Sequence, residues 1–319
     1  MMDKKASVLK LLALFLLLIL LVYAGYFVYE NIPGKGILLN PRFSGGELQV
    51  LNLSGEVSQF YPNMRFNKNQ LYYYINPECN QEKANRMISA FNTISEKTAV
   101  LVFSQMANPN DADIKVSCSD ELQPPDDSGT YIVGKGGGTE AIKTIRYTIP
   151  IGGEIILYNS RMDCDWPIVE LHELLHVLGF DHSNNSNSIM HSSLTSCSQV
   201  VDESIINNLK TLYLQEALSD LYFENASAVK KGRYFDFNVS VKNSGLIDAE
   251  NVILGVYDGN ERIDEFELGD ISIGAGTSLM ITNLKLSSRS SSMIILKIDD
   301  ENVIREIDET NNNVELNVE

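Results

Sequence analysis

Basic residues are scarce in this chain and are not clustered. The 319 residues include 25 Lys and Arg against 42 Asp and Glu, which gives a formal net charge of −17. Beyond the first few residues there is no block of Lys or Arg, so the sequence lacks the basic surface that attracts a phosphate backbone. Nucleic acid is therefore excluded from the expected partners.

Cysteine and histidine are equally rare, with four residues of each. None of the cysteines shows CxxC spacing, which argues against a zinc–cysteine finger. An even number of cysteines in an exported chain predicts two disulfides, and the sequence alone leaves three pairings open. The disulfide candidates are Cys79, Cys118, Cys164 and Cys197.

Apolar residues, in contrast, form a long continuous segment at the N-terminus. Three early lysines precede an uncharged run from Leu11 to Val28, long enough to cross a bilayer as a helix. Lysines before the helix favour a cytoplasmic N-terminus, so residues 1–30 are predicted to be a single-pass anchor in the cell membrane with the rest of the chain extracellular. The alternative is a signal peptide, cleaved near Ala24 and Gly25, and secretion of the remainder.

Composition divides the rest of the chain into three parts. Residues 31–59 are rich in Gly, Pro, Asn and Ser and are predicted to be a linker, with a strand near Leu48–Leu53. Residues 60–218 mix strand and helix patterns and contain a Gly136–Gly138 triplet, which is interpreted as a flexible loop. Residues 219–319 show short alternating runs separated by turns, which predicts an all-β, Ig-like sandwich. The predicted fold class is therefore α+β.

The most informative stretch runs from His172 to His182. His172 and His176 are four residues apart, so on a helix both imidazoles project from one face. Gly179 can adopt a left-handed conformation and turn the chain back, which allows His182 to reach the same point. Three neutral imidazoles and one open position predict a catalytic Zn²⁺ site. Glu173 is the expected general base for a zinc-activated water.

This extended motif resembles the metzincin metallopeptidases, and within them it is most similar to the matrixin-like group. The resemblance covers about residues 60 to 215 and implies a metzincin-type zincin domain that hydrolyses extracellular polypeptides, with Met190 beneath the metal. It also implies that the strand before the active helix pairs with extended substrate. In this chain that strand comprises Glu154, Ile155, Ile156, Leu157 and Tyr158. Two departures are the lack of a recognisable cysteine-switch prosegment and a serine, Ser192, where some metzincins have a tyrosine ligand.

The position of the cysteines in this arrangement favours one pairing. Cys79 and Cys118 follow two strands of a predicted parallel βαβ unit, whose ends lie at one sheet edge, so these two are expected to pair. Cys164 and Cys197 would then tie the entrance of the active helix to the segment after the methionine turn.

The last hundred or so residues resemble the CARDB family, sandwich modules related to bacterial cell-adhesion domains. The resemblance rests on Val239–Gly245, Asp248–Val252 and above all on the series Asp-Glu-Thr-Asn-Asn that ends at Asn312. It implies a non-catalytic spacer or binding module, for which a surface ligand is an expected partner.

The predicted function is that of a membrane-anchored, extracellular zinc-dependent endopeptidase. The alternative is a non-proteolytic surface adhesion protein whose protease-like domain only binds. The presence of Glu173 argues against this alternative, because a binding module needs no general base.

Overall fold

The structure is a computed structural model that describes residues 2–45, 58–121, 132–159 and 164–317. It confirms the predicted α+β class: an apolar N-terminal helix, a domain of mixed sheet and helices, and an all-β sandwich. The strand predicted near Leu48–Leu53 lies outside the described residues.

Four α-helices are found in the described chain. In order they are α1 (Met2–Asn31), α2 (Gln81–Thr98), α3 (Ile168–Val177) and α4 (Glu203–Leu214). The segment Ser7–Asn31 of α1 is long and apolar enough to cross a membrane, with a mean hydropathy of 2.8, and it is not covered by the rest of the protein. Helices α2 and α4 bury one apolar face, whereas α3 is buried along its whole length.

The strands of the described residues fall into the two domains and one short hairpin. In chain order they are β1 (Gly36–Phe43), β2 (Gln70–Ile75), β3 (Val102–Gln105), β4 (Ile114–Cys118), β5 (Gly134–Gly138), β6 (Ala141–Lys143), β7 (Thr148–Pro150), β8 (Gly153–Leu157), β9 (Leu221–Lys231), β10 (Tyr234–Asn243), β11 (Ala249–Asp258), β12 (Glu261–Ile271), β13 (Gly276–Lys285), β14 (Met293–Ile298) and β15 (Asn313–Asn317).

The helical domain is built on a five-stranded sheet of order β3-β2-β4-β8-β5. The first four strands are parallel to one another, and β5 runs antiparallel to β8 at one edge. Because β2 and β4 are parallel neighbours, Cys79 and Cys118 reach the same sheet edge and form a disulfide. Cys164 and Cys197 form the second disulfide, so both expected pairings are confirmed.

The two sheets of the sandwich share strand β1. One sheet has the order β1-β9-β10-β13 and the other the order β12-β11-β14-β15-β1. Residues 36–39 pair antiparallel with β9, and residues 40–43 pair antiparallel with β15. Strand β1 therefore changes sheet halfway along its length, and at this point the side chain of Leu39 is buried in the sandwich core.

This strand corrects the prediction that residues 31–59 are a linker. Residues 36–43 are part of the sandwich, so the helical domain is inserted between the first and second strands of that sandwich. The composition of the segment favoured a linker because the partners of β1 are at residues 228–231 and 314–317, too distant to leave a local pattern.

Helix α1 is joined directly to the sandwich. The guanidinium of Arg289 donates hydrogen bonds to the carbonyls of Tyr29, at 2.8 Å, and Ile32, at 2.6 Å, and stacks over the Tyr29 ring at 4.6 Å. The hydroxyl of Tyr234 donates to the carbonyl of Asn31 at 3.2 Å. These donors satisfy carbonyls at and just beyond the end of the helix, which would otherwise lack partners, so the end of α1 lies in contact with the sandwich.

The other end of the sandwich packs against the helical domain. Arg146, in the turn between β6 and β7, forms an ion pair of 2.8 Å with Asp220, whose side chain is fully buried, and a longer one of 3.5 Å with Asp308. Beside them an apolar cluster formed by Tyr147, Ile149 and other side chains of both domains excludes water. The two domains are therefore in buried, specific contact.

Candidate active site

Helix α3 and the turn that follows it carry the predicted metal ligands. His172 and His176 lie on one face of α3, which is held inside the domain by its many apolar residues. Gly179 follows the helix with a φ of 99°, a backbone conformation that glycine adopts readily and other residues avoid. A Cβ at this position would also overlap with Met64. The resulting turn brings His182 back to the two helical imidazoles.

The three imidazoles converge as the sequence predicted. Nε2 of His176 lies 3.0 Å from Nε2 of His172 and 3.2 Å from Nε2 of His182. Ligands of a tetrahedral zinc ion, each about 2.0–2.1 Å from the metal, are about 3.4 Å apart. The spacing of the nitrogens is therefore close to that of a zinc site.

The hydrogen bonds of the opposite ring atoms determine which nitrogens are available. Nδ1 of His172 lies 2.6 Å from the carbonyl of Ile189, and Nδ1 of His176 lies 2.8 Å from the carbonyl of Phe180. A carbonyl can only accept, so each Nδ1 carries the proton and each Nε2 presents a lone pair. Two lone pairs at 3.0 Å repel each other unless a cation lies between them, and these residues therefore fit a metal ion.

Burial also keeps these imidazoles neutral, as a metal site requires. Burial, assisted by the neighbouring His176, lowers the pKa of His172 to about 3. Burial likewise lowers the pKa of His176. Lowering these pKa values favours the neutral rings, in which Nε2 carries no proton for a metal ion to displace.

The turn around Met190 positions one of the ligands. Met190 is fully buried, its N–H donates to the hydroxyl of Ser188 at 3.0 Å, and its carbonyl accepts from the N–H of Ser183 at 2.8 Å. The preceding carbonyl, that of Ile189, is the one that orients His172. Met190 thus acts through the backbone of its turn, which ties the chain after His182 to the first ligand.

Glu173 lies between helix α3 and the edge strand β5, and only 4% of it is exposed. Burial raises the pKa of Glu173 to about 8, against the effect of the Gly136 N–H, which donates a hydrogen bond to the carboxylate, while nearby Glu170 adds to the rise. A bound dication would lower this pKa by favouring the carboxylate. The side chain is thus placed to exchange a proton near neutral pH.

Strand β5 approaches α3 so closely that it tolerates no side chains on the inner face. A Cβ at Gly134 or Gly136 would overlap with Glu173, whereas a Cβ at Gly137 would meet nothing within 4 Å. The interpretation of Gly136–Gly138 as a flexible loop was therefore wrong. Glycine at every second position from Gly134 has the period of a strand, and this was the signal that could have identified it.

The topology of the sheet also contradicts the prediction of which strand binds substrate. Strand β8, which contains Glu154, Ile155, Ile156 and Leu157, pairs with β4 on one side and with β5 on the other. Tyr158, just beyond β8, donates its N–H to the carbonyl of Val133. Residues 154–158 therefore present no free backbone edge, and the prediction that they pair with substrate was wrong. Among the described strands of this sheet, β5 has the free edge on this side.

Arg86, which secures the entrance of α3, is a residue that sequence reasoning missed. Its guanidinium pairs with Glu170 at 3.0 Å and donates to the carbonyls of Cys164, at 2.7 Å, and Trp166, at 3.0 Å. The indole N–H of Trp166 donates to the carbonyl of Cys197 at 2.8 Å, alongside the disulfide. A helical arginine on α2 has many alternative roles, so only the tertiary structure identifies this one.

Comparisons with known proteins agree with this geometry. Residues 65–214 match the Matrixin family, and residues 218–316 match the CARDB family. Karilysin of Tannerella forsythia is 30% identical over 171 residues, which cover 47% of this chain and 33% of karilysin. This chain thus spans about a third of the length of that relative.

A solved structure was also found for the sandwich. It is the CARDB domain of a Pyrococcus furiosus protein in complex with di-metal ions, 17% identical, and the match covers 32% of this chain and 93% of that domain with a TM-score of 0.25. The assignment of the domains rests on the family matches and on the described fold. Residues 65–214 of the protein are a matrixin domain, and residues 218–316 are a CARDB domain.

Proposed function

We propose that the protein is a membrane-anchored, extracellular zinc-dependent endopeptidase. The observation that carries this proposal is the convergence of the Nε2 atoms of His172, His176 and His182 beside the buried carboxylate of Glu173. We assign catalysis to residues 60–218 and the spacer role to the sandwich of residues 219–319, completed by β1.

The three histidines would hold the zinc ion, which when bound supplies Lewis-acid polarisation of the scissile carbonyl and of the attacking water. Glu173 takes a proton from that water at its carboxylate and delivers it to the nitrogen of the departing amine. The Gly136 N–H holds the carboxylate in place during this exchange. The burial of Glu173 makes the protonated form accessible near neutral pH, which suits a group that must both accept and return a proton.

Extended polypeptide would bind at the outer edge of β5. This edge lies next to Glu173, and a strand added there would place its backbone beside the three histidines. Main-chain hydrogen bonds hold a peptide in register regardless of its side chains. The glycine-rich β5 itself offers no side chain to select among substrates at positions 134 and 136.

The proposed location rests on α1. Its apolar run and the lysines before it favour a retained single-pass helix with both domains outside the cell. The alternative is secretion after cleavage near Ala24 and Gly25. N-terminal sequencing of the mature protein and extraction of membranes with alkaline carbonate separate the two, because only a retained helix leaves the protein in the membrane pellet.

The function is tested by cleavage of unfolded casein by the full chain in detergent, with bound zinc measured by mass spectrometry. Wild type is compared with Glu173→Gln, with a chelated sample, and with Glu96→Gln as a matched control, since Glu96 is exposed on α2. Glu173→Gln should retain zinc and lose about 10²–10⁴-fold in activity, as expected when a general base is removed. Glu96→Gln should match wild type.

Two results would contradict the proposal. If wild type binds no zinc, the metal assignment is wrong. If wild type binds zinc but cuts neither casein nor a library of extended peptides, the non-proteolytic binding protein becomes the better explanation. A chelated sample that regains activity with added zinc supports the proposal independently of any mutation.

A further inference from the structure

The length of α1 determines how close the adjacent end of the sandwich lies to the membrane. The apolar run from Leu11 to Val28 measures about 27 Å as a helix, close to the thickness of a bilayer core, so Tyr29 lies at the outer boundary. Arg289 contacts both the carbonyl and the ring of Tyr29. Arg289 therefore lies at the level of the lipid headgroups if α1 spans the membrane, as the proposed function requires.

Basic side chains gather at this end although the chain as a whole is strongly acidic. They come from the residue before β1, from the end of β9 and the turn that follows it, and from the end of β13 and the segment that follows it. We call this surface the anchor-proximal end, and its basic residues are Lys35, Lys230, Lys231, Arg233, Lys285 and Arg289, of which Lys230 is buried and donates to the carbonyl of Arg289.

The strand pairings and turns place these basic residues at one end of the sandwich. Tyr234 pairs with both Lys231 and Lys285, and Leu286 donates its N–H to the carbonyl of Arg233. Gly36, next to Lys35, pairs with Lys231. Lys35 and Lys285 are exposed. Basic residues from three separate parts of the chain thus lie at one end of the sandwich.

Four carboxylates, those of Glu30, Asp236, Asp258 and Glu261, lie near this surface, so they are fewer than its six basic residues. Asp236 pairs with Lys231 at 2.6 Å, and Glu30 accepts from the N–H of Arg289 at 3.1 Å. Asp258 accepts from Ser287 at 2.8 Å and from Ser291 at 2.7 Å. Within the described chain, Lys35, Arg233, Lys285 and Arg289 have no carboxylate partner in an ion pair. Their charges are therefore available to another molecule.

We infer that the anchor-proximal end is a lipid-contacting surface that binds the anionic headgroups of the outer leaflet. This inference rests on the proposed membrane anchor. The ammonium of Lys285 and the guanidinium N–H groups of Arg233 and Arg289 that do not donate to backbone carbonyls supply the hydrogen-bond donors that phosphate oxygens accept. A single helix leaves a domain free to tilt, whereas headgroup contacts on one side of it hold the sandwich upright. The active site is then kept at the far end, away from the membrane.

The test uses full-chain protein reconstituted in vesicles of phosphatidylcholine, alone or mixed with phosphatidylglycerol, with a nitroxide-headgroup lipid as a fluorescence quencher. The chain has one tryptophan, Trp166, in the matrixin domain, so wild type gives the background signal. Ser290→Trp reports on the anchor-proximal end, and Ile247→Trp reports on the opposite end of the sandwich as the matched control. Each variant is first checked for retention in the vesicles after an alkaline wash.

The emission that Ser290→Trp adds to the background should be mostly quenched in vesicles that contain phosphatidylglycerol, and high salt should reverse part of this quenching. The emission that Ile247→Trp adds should persist. Combining Arg233→Glu and Lys285→Glu with Ser290→Trp should raise the phosphatidylglycerol content needed for half-maximal quenching by about fivefold or more.

Equal quenching of the two tryptophan variants in retained protein would overturn the inference and leave the anchor intact. Quenching of the Ser290→Trp variant that is the same in neutral and anionic vesicles would overturn the recognition of anionic headgroups. Failure of the chain to remain in the vesicles would instead overturn the anchor part of the proposed function, and the lipid surface with it. Casein cleavage, measured in the same samples, reports separately on the catalytic part.

Discussion

Two groups of buried polar side chains differ in how they are partnered: the imidazole nitrogens that converge at the candidate metal site present open lone pairs to one another, whereas the charged side chains at the contact between the domains are paired. In the matrixin domain, the Nε2 lone pairs of His172 and His176 face each other. At the contact between the domains, Arg146 pairs with the buried Asp220 and with Asp308. Unsatisfied acceptors reduce stability and are retained where a ligand will use them, whereas matched groups hold a structure together. A change in the first group should therefore reduce activity, and a change in the second should reduce stability.

The largest expected effect is on stability, from Arg146→Met. This change leaves the carboxylate of Asp220 buried without its cation, which should lower the free energy of unfolding by about 3–5 kcal/mol. Denaturant unfolding monitored by circular dichroism measures this loss. The matched control is Arg305→Met, because Arg305 pairs with Glu216 at the surface, where the two side chains are 71% and 58% exposed.

The control should change the free energy of unfolding by less than about 1 kcal/mol, as exposed ion pairs usually do. An equally small effect of Arg146→Met would mean that the contact between the domains does not depend on this pair. Peptidase activity of folded Arg146→Met, measured under stabilising conditions, should stay close to wild type.

Gly136→Ala tests the prediction that a change at the candidate active site reduces activity. The added Cβ would overlap with the backbone of Glu173, so the carboxylate must shift, and activity should fall by about 100-fold or more. Gly137→Ala is the matched control, since a Cβ there has nothing within 4 Å. Steady-state cleavage of one peptide by both variants, with zinc content measured in parallel, checks the prediction. If Gly137→Ala loses as much activity as Gly136→Ala, the effect comes from strand stiffness and not from contact with Glu173.

The free energy of unfolding should depend on pH through the buried side chain of Glu306. Burial raises its pKa from the ordinary 4.5 to about 8, although Leu221 and Asn312 donate hydrogen bonds to it. As pH rises above 4.5, the unfolded chain releases this proton before the folded protein does, so the free energy of unfolding falls until pH reaches about 8. The loss from pH 5 to pH 7 should be about 2 kcal/mol, given about 1.4 kcal/mol per pH unit at most.

Glu306→Gln should flatten this pH dependence, because glutamine does not titrate. Asn312 donates its Nδ2 to Glu306, and rotation of the Asn312 amide by half a turn would present its unpartnered Oδ1 to the new NH2 group. Glu250→Gln, on an exposed strand position, should leave the slope as in wild type. Denaturant unfolding curves of the three proteins at several pH values measure these slopes. If wild type and Glu306→Gln show the same change in stability from pH 5 to pH 7, Glu306 is ionised in the folded protein and the prediction is wrong.

The smallest expected effect is that of Trp166→Phe at the edge of the active site. It removes the hydrogen bond to the carbonyl of Cys197 from a partly exposed position, which should cost about 0.5–1 kcal/mol in unfolding free energy. Activity should change by less than about twofold, because the Cys164–Cys197 disulfide and Arg86 still hold the helix entrance. A loss of zinc would show that Trp166 also supports the metal site.

The geometry of the candidate site was largely predictable from the sequence because its key residues are close together along the chain. His172 and His176 share a face of one helix by local geometry alone, and Gly179 indicates the turn that returns His182. Both disulfides followed from the order of strands. Their prediction required only that β2 and β4 be parallel.

The features that were missed all depend on non-local pairing. Strand β5 has almost no side chains, so neither hydrophobic alternation nor β-propensity marks it. The alternation of glycine from Gly134 has the period of a strand, but it does not show that this strand pairs antiparallel with β8. The substrate strand was assigned from the family resemblance alone, and only the pairing of β5 with β8 shows that β8 has no free edge. Strand β1 was assigned to a linker because its partners are in β9 and β15.

The inserted position of the matrixin domain also determines the order in which the chain can fold during synthesis. Ser44 bonds to Asn313, 269 residues later, so at about 5–20 residues per second these partners are made roughly 15–55 s apart. The strands of the matrixin domain all emerge within that interval and can assemble first. Strand β1 must wait with its backbone edge unpaired, and an unpaired edge attracts other chains. We therefore expect nascent chains to depend on a chaperone that shields β1 until β15 has been translocated.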